Sequence, residues 1–434
     1  MLRHPLADSA PPKIFMECRS TVVGWRTPAP STTGSLGLRL PLFPHAPRSI
    51  TVDVMATASG VLGEYALPCR NAEESVPVDA RLRKGVRRPV AHLLWLLTAI
   101  TLSAQQPELT EERVYGREAW VLANGQIRVA LLKGGGHIAE VRQTTGNPKR
   151  DVNPLRVPHY PTIEPQNYHP AKHGDIYGTD PHARLSSGYL GHLLCFPYYG
   201  PASDQEAQRG LGNHGEAPVV AWVKIRAEVT PASVGFEYGA DLPQTHYRVR
   251  RKVTVLAGKR EVTVEEWVEN LTDLDRPMQW MQHATFGPPF VEPGRSRLKI
   301  SAQDPALRDR LMSAQPRSSS YTAIRLDPTR DQQFFILSHP DFDVQIGYLL
   351  PAPQNPWVGD WMENQRSLTM PWNGQVIARG IEFGNSPYAE GLRKAIARAS
   401  IDGTPTYGWI RARETLKNEY RIFLAEPGTA APAH

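Results

Sequence analysis

Residues 246–287 read HYRVRRKVTVLAGKREVTVEEWVENLTDLDRPMQWMQHATFG, and they decide the fold class. Along the first run Tyr247, Val249, Val253 and Val255 fall on one side, with His246, Arg248, Arg250 and Lys252 on the other. A two-residue period of this kind marks a half-buried β-strand. After a turn at Ala257–Arg260, the run from Glu261 to Leu271 places Val262, Val264 and Val268 opposite Glu261, Thr263, Glu265 and Glu269. A basic face followed by an acidic face suits two strands paired as a hairpin. A third run, Met278–Phe286, sets Met278, Trp280, Ala284 and Phe286 on a core-like side and Gln279, Met281, His283 and Thr285 on the other.

The same pattern continues outward. Trp120–Leu122, Asn124-Gly125 and Gln126–Leu132 form a hairpin signature, because Asn-Gly tolerates the positive φ angles of a tight turn. Gly134–Gly136 then interrupts the chain before His137–Arg142 resumes it. Further strands are expected at Phe334–Ser338, Val344–Leu350, Val376–Phe383 and Thr406–Arg411, and a short helix at Ala306–Met312. Residues 145–215, rich in Pro, Gly, His and Tyr, read as long loops over a scaffold. Many antiparallel strands joined by turns imply a large all-β sandwich.

The chain has 434 residues and a formal charge of +6, but the basic excess sits in its first quarter. Residues 105–434 carry 37 Lys/Arg against 36 Asp/Glu, so the body has no electrostatic footprint for a phosphate backbone. Residues 1–85 show no sustained period and stay unassigned. Residues 86–104 contain Arg87-Arg88, the apolar run Ala91–Leu102 and the small pair Ser103-Ala104, the pattern of a secretory signal peptide. The expectation is a start near Val86, with residues 1–85 as upstream sequence, and a periplasmic or secreted body without a membrane span. Cys195 is the single thiol of that body and lies in apolar LLCFPYYG, a small buried hydrophobe rather than a nucleophile.

Three segments offer chemistry. His283 projects from the polar side of its strand. Glu382, in GIEFG at 380–384, shares a face with Val376, Ala378, Gly380 and Gly384, small neighbours that leave space around a carboxylate. His214 sits in Gly212-Asn213-His214-Gly215-Glu216, where flanking glycines leave an imidazole accessible.

Taken together, GGGHIAEV at 134–141, NHGEA at 213–217, VEEWVENLTDLDRPMQWMQHATFG at 264–287 and GIEFG resemble the aldose 1-epimerase (galactose mutarotase) family over roughly residues 115–425. The resemblance implies a galactose mutarotase-like β-supersandwich spanning residues 105–434. It also implies Glu382 as general base, His283 as general acid and His214 as a substrate-orienting partner. Anomer interconversion needs one base at the C1 hydroxyl and one acid at the ring oxygen, so no cofactor and no metal is called for. The expected partner is a monosaccharide or the sugar end of a glycan, with Trp357, Trp361 and Trp372 as flat walls. The family's acidic sugar contact falls among Asp341, Asp343 and Asp360, with Asp360 the candidate carried forward; its usual arginine has no convincing counterpart, Arg142 and Arg156 fitting no better than each other.

Two other readings compete. One is a carbohydrate-binding protein of the same fold without turnover. The other is a metal-dependent hydrolase using His159, His169, His173, Asp175, Asp180 and His182, although Pro170 and Gly174 favour a loop there. No G-x-S-x-G, P-loop or dinucleotide fingerprint is present in the sequence.

Overall fold

The structure, a computed structural model, describes residues 106–432; the signal-like segment and residues 1–85 lie outside the described residues. The body contains two nine-stranded sheets. The first runs in the order Glu108–Val114, Arg117–Ala123, Ile127–Leu132, Ile138–Gln143, His192–Cys195, Met281–Phe286, Ile377–Gly384, Trp357–Asn364 and Ser318–Arg325. The second runs Asp309–Leu311, Arg297–Ile300, Gln332–Ser338, Gln345–Pro351, Thr415–Ala425, Glu261–Asn270, Tyr247–Leu256, Ser233–Leu242 and Val223–Thr230. The large sandwich expected from alternation is therefore observed. No helix among the described residues is long and apolar enough to cross a membrane.

The hairpin at 247–270 pairs Arg248 with Glu269 and Lys252 with Glu265, as its charged faces require. Its other face buries Val249, Val253, Val255, Val262, Val264 and Val268, each worth about 1.5–3 kcal/mol when withdrawn from water. Arg251 and Glu266 share that apolar face and are also buried. Arg251 Nε donates to Glu266 Oε1 at 2.6 Å and Nη1 donates to the Gly136 carbonyl at 2.6 Å. On the other side of this pair, Gln282 Nε2 and Trp280 Nε1 both donate to Glu266 Oε2, which links the second sheet to the back of the strand that carries His283. The Asn124-Gly125 turn also joins the sheets. Asn124 Oδ1 caps its own turn, while Nδ2 donates to the carbonyls of Leu256 and Lys259 at 2.6 and 2.7 Å.

Two local expectations are corrected. The helix expected at 306–312 is a 3-10 turn, Pro305–Leu307, followed by the strand Asp309–Leu311. Residues 145–215 are not loop throughout: they hold helices at Pro170–Tyr177, Ala183–Ser186 and Asp204–Gln208 and the strand His192–Cys195. Pro170 starts its helix rather than preventing it, since proline at the first helical position gives up an N–H that has no intrahelical partner. His169 caps the same helix, Nδ1 accepting from the Ala171 N–H at 3.2 Å.

Candidate active site

Strand register builds the site. His283 stands directly opposite Glu382 where Met281–Phe286 pairs with Ile377–Gly384, and Trp361 stands opposite Gly380 on the next strand. Paired residues in neighbouring antiparallel strands share a face, so all four come to one side of the first sheet. Their alternates Gln282, Ala284, Ile381 and Phe383 turn into the interior between the sheets. The glycines make room: a Cβ at Gly380 would lie 2.9 Å from Glu382 Oε1, 2.9 Å from Trp361 and 3.1 Å from His283.

The result is a cavity of about 400 Å³ whose lining includes His214, His283, Glu382, Tyr189, Tyr321, Trp361 and Trp372. His283 Nε2 meets Glu382 Oε1 at 3.0 Å, both side chains being about 95% buried. Glu382 Oε2, also buried, has no protein partner. Burial drives the Glu382 carboxyl well above its usual range. Burial also drives the His283 imidazole down to about 3, with His192 and Arg156 adding to the effect.

His214 reaches the same cavity from a loop held by close backbone packing. A Cβ at Gly215 would lie 2.2 Å from the Phe196 carbonyl oxygen, and Gly215 has φ +86°. Glu216 anchors the far side, accepting from the N–H groups of Gln244 and Thr245. His214 itself takes φ +65°. Its Nδ1 accepts from the Gly200 N–H at 3.3 Å, so in the neutral ring the hydrogen is on Nε2. Burial first, then His283 and His182, push its pKa well down. The two imidazoles stand edge to face, centroids 5.2 Å apart.

The other expected residues divide. Trp361 and Trp372 line the cavity with centroids 5.9 Å apart, and Trp372 Nε1 is buried without a partner. Trp357 lies on the same strand face as Trp361 but outside this cavity, donating to the Pro405 carbonyl at 2.9 Å. Asp360 is corrected as a sugar contact. It points to the other face, fully buried, with Arg379 gripping both its oxygens at 2.9 Å and Arg310 donating to Oδ2 as well, at 2.7 Å. Asp341 pairs with Arg295, and neither it nor Asp343 lines the cavity.

Between the two arginines the structure separates the alternatives. Arg142 pairs with Glu140, whereas buried Arg156 lies over Tyr189 and Trp372 at 5.0 and 5.8 Å. Its Nη2 has no partner. Sequence reading also missed Tyr189 and Tyr321, single aromatics in segments without a period. It placed Asp180 and His182 in a metal set, yet both line this cavity, and the set does not gather around a common point. His169 and His173 instead use Nδ1 to accept backbone N–H groups. Among the described residues, Glu292, His339 and Asp341 do converge at ligand distance. The Arg295 guanidinium already binds Glu292 and Asp341 there, at 2.9 and 2.7 Å.

Comparison with solved structures bears on this arrangement. A candidate aldose 1-epimerase from Klebsiella pneumoniae aligns with TM-score 0.52 and 13% identity, over 71% of this chain and 79% of its own. The chain has the galactose mutarotase-like fold. A galactose mutarotase-like protein from Clostridium acetobutylicum aligns with TM-score 0.50 and 13% identity, over 74% of this chain and 99% of its own. No family model matches the sequence, and no curated protein does. At such identity the likeness to galactose mutarotase-like structures establishes architecture, and activity rests on the site's own geometry.

Proposed function

We propose that the protein interconverts the anomers of a free sugar, in the manner of an aldose 1-epimerase. One observation carries this reading: a carboxylate with an unpartnered oxygen and an imidazole touch each other at 3.0 Å on the wall of an aromatic, sugar-sized cavity. Glu382 Oε2 removes the anomeric hydroxyl proton while the Nε2 hydrogen of His283, released as the carboxyl fills, passes to the ring oxygen. The C1–O5 bond breaks, giving the open aldehyde. After rotation about C1–C2 the ring recloses, the O5 hydrogen returns to His283, and Glu382 returns its proton to the anomeric oxygen. Both groups end as they began. The Nε2 hydrogen of His214 donates to a sugar hydroxyl, Arg156 backs the aromatic wall, and Trp361 and Trp372 offer flat faces to the C–H side of the ring.

Polarimetry on fresh α- and β-aldoses, parent beside Glu382→Gln, tests the proposal. General acid–base catalysis contributes about 10²–10⁴-fold, so the variant should lose rate on that scale while keeping sugar affinity. A parent that binds sugar and leaves the uncatalysed rate unchanged would be a binding protein, and the isomerase reading would fall.

A further inference from the structure

The second ring nitrogen of His283 has its own partners. Its Nδ1 lies 2.9 Å from Thr285 Oγ1 and 3.3 Å from the Tyr189 hydroxyl, and those two hydroxyls are 2.6 Å apart. Thr285 is two residues along the same strand, while Tyr189 comes from the segment preceding His192–Cys195, so the contact closes across two elements. All three side chains are at least 95% buried. Resting on the proposed isomerase reading, we propose that Tyr189 and Thr285 are positioning residues that fix His283 as the tautomer with its hydrogen on Nε2.

The argument is a count of hydrogens. With the phenol donating to Thr285 and Thr285 donating to Nδ1, each hydroxyl hydrogen has an acceptor. The ring hydrogen must then sit on Nε2, facing Glu382. In the reverse order Nδ1–H donates to Thr285 and Thr285 donates to the phenol oxygen. The phenolic hydrogen is then left with only the bare Nε2 of His283, at 3.5 Å, too long to satisfy it. An unsatisfied buried hydroxyl is disfavoured, so the first order prevails. Burial opposes it by favouring a protonated Glu382, whose hydrogen would claim Nε2. The hydroxyl chain works against that tendency, because it leaves Nε2 a donor rather than an acceptor toward Glu382.

Thr285→Val removes the hydroxyl at constant shape, Thr285→Ser restores it, and Tyr189→Phe removes the far donor. In full-length protein labelled with ¹⁵N-histidine, the His283 ring, assigned by its absence in His283→Asn, should show an unprotonated Nδ1 and a protonated Nε2. Thr285→Val and Tyr189→Phe should both shift this pattern toward a tautomer mixture. Turnover number should fall about tenfold or more with KM changed less than about twofold, and Thr285→Ser should recover both readouts. A parent ring protonated on Nδ1, or a Thr285→Val protein with parental ring shifts and turnover, overturns the inference. The spectra need no turnover: an inactive parent with the Nε2–H pattern would end the isomerase reading and leave the tautomer assignment standing.

Discussion

Gly380→Ala tests the cavity most directly. Gly380 sits in a strand with its φ outside the left-handed region, so alanine brings no backbone strain, only a methyl group. That methyl would sit 2.9 Å from Glu382 Oε1, 2.9 Å from Trp361 and 3.1 Å from His283. Ordinary carbon contacts begin near 3.4 Å, so the neighbours must yield by roughly half an ångström, and the end of the carboxylate yields most easily. Overpacking of this size costs about 1–3 kcal/mol, a fall in Tm of about 2–6 °C for a domain this large. The displaced carboxylate also loses its 3.0 Å contact with His283. A 1 Å misplacement of reacting groups costs ~10²-fold, so half of that costs about tenfold in turnover. The assay is polarimetric anomer exchange beside thermal unfolding, with Gly235→Ala as control, since a Cβ there meets nothing nearer than 3.8 Å. Parental rate and Tm in Gly380→Ala would refute the placement of these three side chains.

Asp360→Asn should weaken the grip of Arg379 and Arg310 and lower stability by about 3–5 kcal/mol while leaving KM unchanged in the folded fraction. A large rise in KM at parental stability would return Asp360 to the sugar site. Arg251→Met alone should cost about 3–5 kcal/mol in denaturant unfolding, because Glu266 is left buried and uncompensated. The double variant with Glu266→Leu should recover much of that, and no recovery would contradict the pairing. Stability should also respond to acid. His283 and His214 are held neutral in the fold, whereas an unfolded imidazole takes a proton near 6.5. Below that pH the unfolded state binds more protons, so each group removes up to about 1.4 kcal/mol per pH unit as pH falls below 6.5, for His283 down to about 3. Glu382 acts in the opposite sense, its raised pKa favouring the fold below 4.5 and losing that advantage as pH rises through the folded value. His283→Asn should therefore flatten the decline of Tm between pH 6.5 and 5, and an unaltered slope would argue against a neutral buried ring.

The sequence by itself determined the strands, because alternation is a local property: each valine of 247–268 declares its side through its immediate neighbours. It also exposed His214, His283 and Glu382, whose surroundings of glycine or polar residues do not suit a packed core. Parity could have removed Asp360, since adjacent strand residues face opposite ways and Trp361 takes the cavity side. Tertiary structure alone decided the rest. His283 and Glu382 are 99 positions apart, and only the register between their strands sets them face to face. Arg251 and Glu266 each look misplaced on an apolar face until the fold brings them to 2.6 Å. Tyr189, Arg156 and Tyr321 carry no periodic signal. A site built from several distant segments depends on loop closure and strand order, which no local pattern encodes.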